Sequence, residues 1–179
     1  PPHIHGARSP SATTPSPGHS YTVTACHRPG EFAHDMRAAL PAVDAAVVAC
    51  EADERKLPQL QLIMRELEDL GIPRFLFLNK IDRASKRVRE TLDTLQPASR
   101  IPLVLRQIPI WNGELIAGFV DLALERAFVY REHKASEVIA LDGGDLARVR
   151  EARFSMLDKL ADHDDALMAP LLEDIVPTA

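Results

Sequence analysis

Apolar residues in the first half of the chain alternate between helical spacing and short continuous runs. Residues 43–50 are mostly small or β-branched, as in a strand buried in a parallel sheet, and residues 75–78 form a second such run. Between them, apolar positions recur at helical spacing from Leu57 to Leu70, and residues 32–40 and 88–95 show the same spacing. This order predicts an α/β unit over residues 31–98, with a parallel sheet and right-handed crossovers.

The pattern changes in residues 99–179. Extended runs at 102–111 and 114–122 are joined by Asn112-Gly113, a pair typical of two-residue hairpin turns because both residues tolerate a positive φ. A third run at 127–130 extends the hairpin into an antiparallel meander, and Asp145 then caps a long helix. The inward positions of that helix are predicted to be Leu146, Val149, Met156, Leu157 and Leu160. Residues 99–179 therefore predict a small α+β subdomain.

The amino-terminal segment has a different composition. Its first twenty residues include five prolines, four serines and three histidines, and too few apolar side chains to offset the entropy lost on ordering. We therefore predict that residues 1–30 form a disordered or aberrant tail.

Charge and apolar content exclude several classes of protein. The 179 residues carry a net charge of −5, and since residues 1–30 hold two arginines and no acid, the remainder carries −7. An acidic remainder argues against a broad contact with DNA phosphates. The longest apolar run has six residues, against about 20 for a membrane span, and two isolated cysteines fit a reducing cytosol. We expect a cytoplasmic protein that binds neither membrane nor DNA.

The residues that carry chemistry are Asn79-Lys80-Ile81-Asp82, directly after the second predicted strand. Ligands of open α/β sheets bind beyond the carboxyl ends of the strands. An ionised Asp82 only accepts hydrogen bonds, so it can pair with the ring N–H and the amino group of guanine, which adenine does not offer together. The stem of Lys80 can cover the flat base. The alternative interpretation is an ordinary polar turn, where Asn and Asp are common.

These residues, with residues 43–48, 71–74 and 77–83, resemble the GTPase domain of elongation factor G, and its elongation factor G-like branch in particular. The meander and residues 164–168 resemble the subdomain inserted in that family. The resemblance covers residues 31–176. It implies a partial P-loop-GTPase-type parallel sheet, with Asn79, Lys80 and Asp82 as the guanine-specificity motif. It also implies GTP or GDP with Mg²⁺ as cofactors, and the ribosome as partner.

The chain departs from the family pattern at the phosphate site. It contains no GxxxxGK[ST] loop, and it ends before the family's last guanine-binding motif. Pro29-Gly30 is interpreted as a remnant of the family's Asp-x-Pro-Gly motif, with His27 where the Asp would stand. No residue is assigned to catalysis or to a metal ion, and the chain alone is predicted to be inactive.

Two explanations of the amino terminus stay open: coding sequence read out of frame, or a natural truncation with an unrelated tail in place of the missing residues. The function expected from the resemblance is that of a fragment of a translation GTPase. The alternatives are a non-catalytic α/β interaction domain and an inactive gene fragment.

Overall fold

The computed structural model describes residues 11–16, 18–26, 37–83, 88–141 and 143–173. The chain divides into two compact units, residues 1–46 and residues 47–179.

The first unit contains an antiparallel hairpin of β1 (Ser11–Ser16) and β2 (His19–Thr24). Gly18 lies in the connecting turn with a φ of +82°, a conformation that glycine adopts without steric cost. The prediction of a disordered tail is therefore wrong for these two strands. Composition misled here because backbone hydrogen bonds hold the ladder, while the side chains of Tyr21 and Val23 stay exposed. The helix predicted from residue 32 lies outside the described residues up to residue 36.

The second unit begins with a βαβ arrangement. Strand β3 (Ala46–Glu51) and strand β4 (Arg74–Asn79) are neighbours in a two-stranded parallel sheet, joined through helix α1 (Leu57–Asp69). This confirms the predicted parallel pair, although β3 begins at residue 46 rather than 43. Leu60, Met64 and Leu67 are the buried residues of α1.

Helix α1 ends at a left-handed glycine. Gly71 has a φ of +66°, its N–H donates to the carbonyl of Glu68, and the N–H of Ile72 donates to that of Leu67. This pair of bonds is the Schellman arrangement, and it turns the chain directly into β4.

The sheet is buried on one face only in the described part of the chain. Val48 is buried, whereas Val47, Phe75 and Phe77 on the opposite face are 71%, 59% and 57% exposed. Among the described residues, the two strands predicted to be buried are therefore buried on one face only. Alternate residues of a strand point to opposite faces, and α1 covers only one of them.

Beyond β4, helix α2 (Val88–Leu95) buries Thr91 and Leu95 and leads through a short 3₁₀ turn to residue 98. A four-stranded antiparallel sheet follows in the order β5 (Gln107–Asn112), β6 (Leu115–Asp121), β7 (Arg126–Arg131) and β8 (Lys134–Ile139). The predicted meander is confirmed, with β8 as an additional strand that its mostly polar sequence did not indicate.

The first turn of the meander is displaced by one residue from the prediction. Asn112 pairs with Leu115, so Gly113 and Glu114 are the turn residues. Gly113 has a φ of +62°, whereas Glu114 is not among the residues with positive φ, the pattern of a type II′ turn.

One face of this sheet packs against helix α3 (Gly143–Ala161), which is followed by helix α4 (Asp165–Leu172). Their core contains three sheet or turn residues and four helix residues: Val120, Leu122, Ala127, Val149, Ala152, Met156 and Leu157. Of the predicted inward positions, Leu160 is 37% exposed, and Arg153 is buried instead.

Candidate functional site

The predicted guanine motif lies at the carboxyl edge of the parallel sheet. Asn79 is the last residue of β4, Lys80 follows it, and Asp82 lies in a 3₁₀ turn at Ile81–Arg83. All three residues are exposed. The structure thus places the motif where ligands of parallel sheets bind, as the sequence predicted.

The backbone turns sharply at Lys80. This residue has a φ of +54°, and the Oδ1 atom of Asn79 accepts a hydrogen bond of 2.9 Å from the Lys80 N–H. Asn is suited to this position because its short side chain can bond to the next backbone amide. Asn79 therefore shapes the loop that presents Lys80 and Asp82.

The Lys80 side chain reaches across to the neighbouring strand. Its Nζ lies 2.6 Å from Oε1 of Glu51, the last residue of β3, and Nζ of Lys56 lies 2.8 Å from Oε2 of the same carboxylate. Hydrogen bonds from Lys56 and then Lys80 lower the pKa of Glu51 to about 2. Glu51 is therefore ionised at neutral pH, with both oxygens engaged.

Glu51 is not among the site residues predicted from the sequence. The signal was available, because Glu51 directly follows the first predicted strand and Asn79 directly follows the second. In a parallel pair the two carboxyl ends meet at one edge, which predicts that polar residues in these positions are neighbours.

A small cleft opens between β3 and α1. It has a volume of about 110 Å³, and Val48, Cys50 and Leu60 are among the residues that line it. Nucleotide-sized ligands occupy pockets of roughly 300 Å³ or more, so the cleft is too small to enclose one. Burial, and then the charge of Glu51, raise the pKa of Cys50 to about 11, which keeps its thiol protonated and a poor nucleophile.

No candidate metal centre is present among the residues that the structure describes. They contain no group of three or more His, Cys, Asp or Glu residues able to hold a metal ion. None of the helices they form is long and apolar enough to cross a membrane. Pro29 and Gly30, the predicted remnant of a phosphate motif, lie outside the described residues.

Comparison with solved structures shows the fold. A crystal structure of a Thermus thermophilus protein matches 96% of this chain and 26% of its own, with a TM-score of 0.74 and 24% sequence identity. Such a likeness supports a common fold for the two chains.

Two curated relatives are similar over most of this chain. An elongation factor G-like protein of Synechocystis is 39% identical over 147 residues, which are 82% of this chain and 22% of the relative. Elongation factor G 1 of Geobacter sulfurreducens is 29% identical over 146 residues, which are 80% of this chain and 21% of the relative. The chain thus spans about a fifth of the length of these relatives.

The family model of the elongation factor Tu GTP binding domain matches residues 9–167. The match includes residues 9–30, which lie outside the range 31–176 over which the sequence was seen to resemble the family. The matched residues include the βαβ unit, the meander and the Asn79–Asp82 loop. The chain belongs to the elongation factor Tu GTP-binding domain family.

Proposed function

We propose that this chain reads the guanine base in the GTP-binding domain of an elongation factor G-like translation GTPase. The observation that carries the proposal is the position of Asn79, Lys80 and Asp82 at the carboxyl edge of a parallel sheet, in a chain of this family. Sequence motif, fold and family point to the same ligand.

We assign a different role in guanine recognition to each of the three loop residues. The carboxylate of Asp82 accepts one hydrogen bond from the guanine ring N–H and one from its amino group. The methylene stem of Lys80 covers one face of the base, and Asn79 holds the loop in shape through the amide of Lys80. Adenine would leave the Asp82 carboxylate without this donor pair, so the loop selects guanine.

The whole family protein would add the phosphate chemistry. We propose that in a protein of the relatives' length GTP is hydrolysed on the ribosome, in the cytoplasm, with Mg²⁺ stabilising the charge on the phosphates. Residues 31–98 would form the GTPase core and residues 99–179 its inserted subdomain. In the described part of this chain, no group of three or more His, Cys, Asp or Glu residues could hold a metal ion.

Nucleotide binding by this chain tests the proposal. We expect GDP to bind with a Kd of about 1 mM, which is about −4 kcal/mol, because most affinity in such domains comes from phosphate contacts. ADP should bind more weakly, and GTP should not be hydrolysed. Ligand-observed NMR with GDP and ADP at equal concentrations measures the preference.

Asp82→Asn should remove the preference for GDP and gain affinity for xanthosine diphosphate. Xanthine carries a carbonyl where guanine carries an amino group, and an amide can donate to that carbonyl. Asp93→Asn on α2 removes the same charge at an exposed site away from the loop and serves as the control. Equal binding of GDP and ADP by the wild-type chain would contradict the proposal and favour the alternative of a non-catalytic interaction domain.

A further inference from the structure

Glu51 and Lys80 join the two strand ends of the parallel sheet. They lie 29 positions apart in the sequence, yet Lys80 Nζ donates to Glu51 Oε1 at 2.6 Å because the carboxyl ends of β3 and β4 meet at the same edge. The Lys80 side chain is 48% exposed and that of Glu51 is 30% exposed. Part of the lysine therefore stays open to a ligand while its tip is bound.

Glu51 is itself fixed from the other side. Lys56, at the start of α1, donates to Glu51 Oε2 at 2.8 Å, so the carboxylate cannot turn away from Lys80 without also losing its contact with Lys56. Since hydrogen bonds from both lysines keep the pKa of Glu51 low, the carboxylate stays charged throughout the neutral range. Lys80 therefore has a charged acceptor, the Glu51 carboxylate, at every pH in the neutral range.

The Lys80 side chain is held at both of its ends. The Asn79 side chain and the left-handed φ of +54° fix its backbone, and Glu51 fixes its ammonium group. A free lysine loses rotamer freedom when it is ordered against a ligand, and this loss weakens binding. A lysine already ordered in the absence of ligand avoids most of that loss.

We propose that Glu51 is a positioning residue for guanine binding, which holds the stem of Lys80 in the orientation that covers the base. This inference rests on the proposed function, since it assigns to Glu51 a role at the same site. Glu51 contacts no base atom itself and acts through the ammonium group of Lys80.

Glu51→Gln tests the inference, because it removes the charge and keeps the size of the side chain. Asp53→Asn is the matched control: Asp53 is paired with Arg55 rather than Lys80, and Asn keeps the oxygen that caps the following 3₁₀ turn. Both variants and the wild-type chain are compared for GDP and ADP affinity by NMR titration. We expect Glu51→Gln to bind GDP a few-fold more weakly, and Asp53→Asn to bind it like the wild type.

A second measurement needs no nucleotide. Acetic anhydride labelling followed by mass spectrometry gives the acylation rate of Lys80, with the exposed Lys134 on β8 as internal reference. Removing the Glu51 carboxylate frees the amine, so we expect Glu51→Gln to raise the rate at Lys80 several-fold relative to Lys134. Asp53→Asn should leave the ratio unchanged.

Combining Glu51→Gln with Lys80→Met separates positioning from general damage to the site. If Glu51 acts through Lys80, Glu51→Gln has no further effect on GDP affinity in a Lys80→Met background. An equal loss in both backgrounds overturns the inference, as does unchanged or tighter GDP binding by Glu51→Gln alone. A wild-type chain that does not distinguish GDP from ADP overturns the proposed function instead, a result that the titration shows before any Glu51 variant is compared.

Discussion

Arg153 of α3 donates from Nη1 to the carbonyl oxygen of Leu122 at 2.6 Å, across the core between α3 and the four-stranded sheet. The same nitrogen donates to the carbonyl of Ala123 at 2.9 Å. Arg153 is only 4% exposed, and Leu122 is fully buried. The β6–β7 turn explains why a charged side chain is buried here. Carbonyl groups of the turn do not pair with a neighbouring strand, and because they are shielded from water they require a hydrogen-bond donor from the protein.

Arg153→Ala should therefore destabilise the chain by about 3 kcal/mol, because it leaves buried carbonyl groups without donors and removes the packing of the long stem. Arg150→Ala removes the same charge from an exposed position of the same helix and should change stability by less than about 0.5 kcal/mol. Urea unfolding at pH 7 measures both. Similar losses for the two variants would contradict the role given to Arg153.

Glu68 connects α1 by hydrogen bonds to strand β4 and to the segment that follows α2. Its side chain is 5% exposed and accepts hydrogen bonds from Arg74 at 2.6 Å, Ser99 at 2.9 Å and Arg100 at 2.8 Å. Glu68→Gln should cost about 3 kcal/mol, since it leaves the guanidinium of Arg74, itself 14% exposed, without its charged partner.

The neighbouring Asp69 provides the control for Glu68. Its side chain is 59% exposed and also pairs with Arg100. Asp69→Asn should lower the free energy of unfolding by less than about 0.5 kcal/mol, as is usual for an exposed ion pair. Equal urea midpoints for Glu68→Gln and the wild type would show that the buried cluster contributes nothing.

The sequence predicted those parts of the fold in which apolar spacing and turn residues agree. The helix between the two parallel strands, the meander and the long helix α3 are of this kind. The hairpin Ser11–Thr24 and strand β8 were missed because backbone pairing holds them while their side chains stay mostly exposed. Apolar pattern carries no information about such strands.

The sequence predicted the Asn79–Asp82 motif of the candidate site, but not the contact between Glu51 and Lys80. Asn79, Lys80 and Asp82 are adjacent in sequence, so their type and spacing were visible directly. Glu51 touches Lys80 only because two strands pair in parallel, a long-range relationship that local pattern does not encode. Arg153 was missed for a related reason, since the carbonyl groups that it satisfies lie 30 and 31 positions away.

The uncovered face of the parallel sheet gives a further prediction. Phe77 is 57% exposed, whereas Leu67 on α1 is 1% exposed. Phe77→Ala should therefore cost less than about 1 kcal/mol in urea unfolding, and Leu67→Ala about 3 kcal/mol, because only the second creates a cavity. A loss of about 3 kcal/mol for Phe77→Ala would mean that this face is covered in solution.

Asp121 should make the chain less stable in acid. Its burial raises the pKa, but hydrogen bonds from Arg106, Leu124 and Ala123 outweigh this effect, so the pKa lies below its ordinary value of 3.8. For a carboxyl group with a lowered pKa in the folded state, the stabilisation is complete above the unfolded pKa and is lost as pH falls through the folded one.

Asp121→Asn should therefore be about 2 kcal/mol less stable than the wild type at pH 7. That difference should shrink steadily from pH 4 to pH 2 as the wild-type carboxylate takes up its proton. Urea midpoints of both chains at each pH give the difference directly, and a gap that is the same at pH 2 and pH 7 would contradict the ion pair.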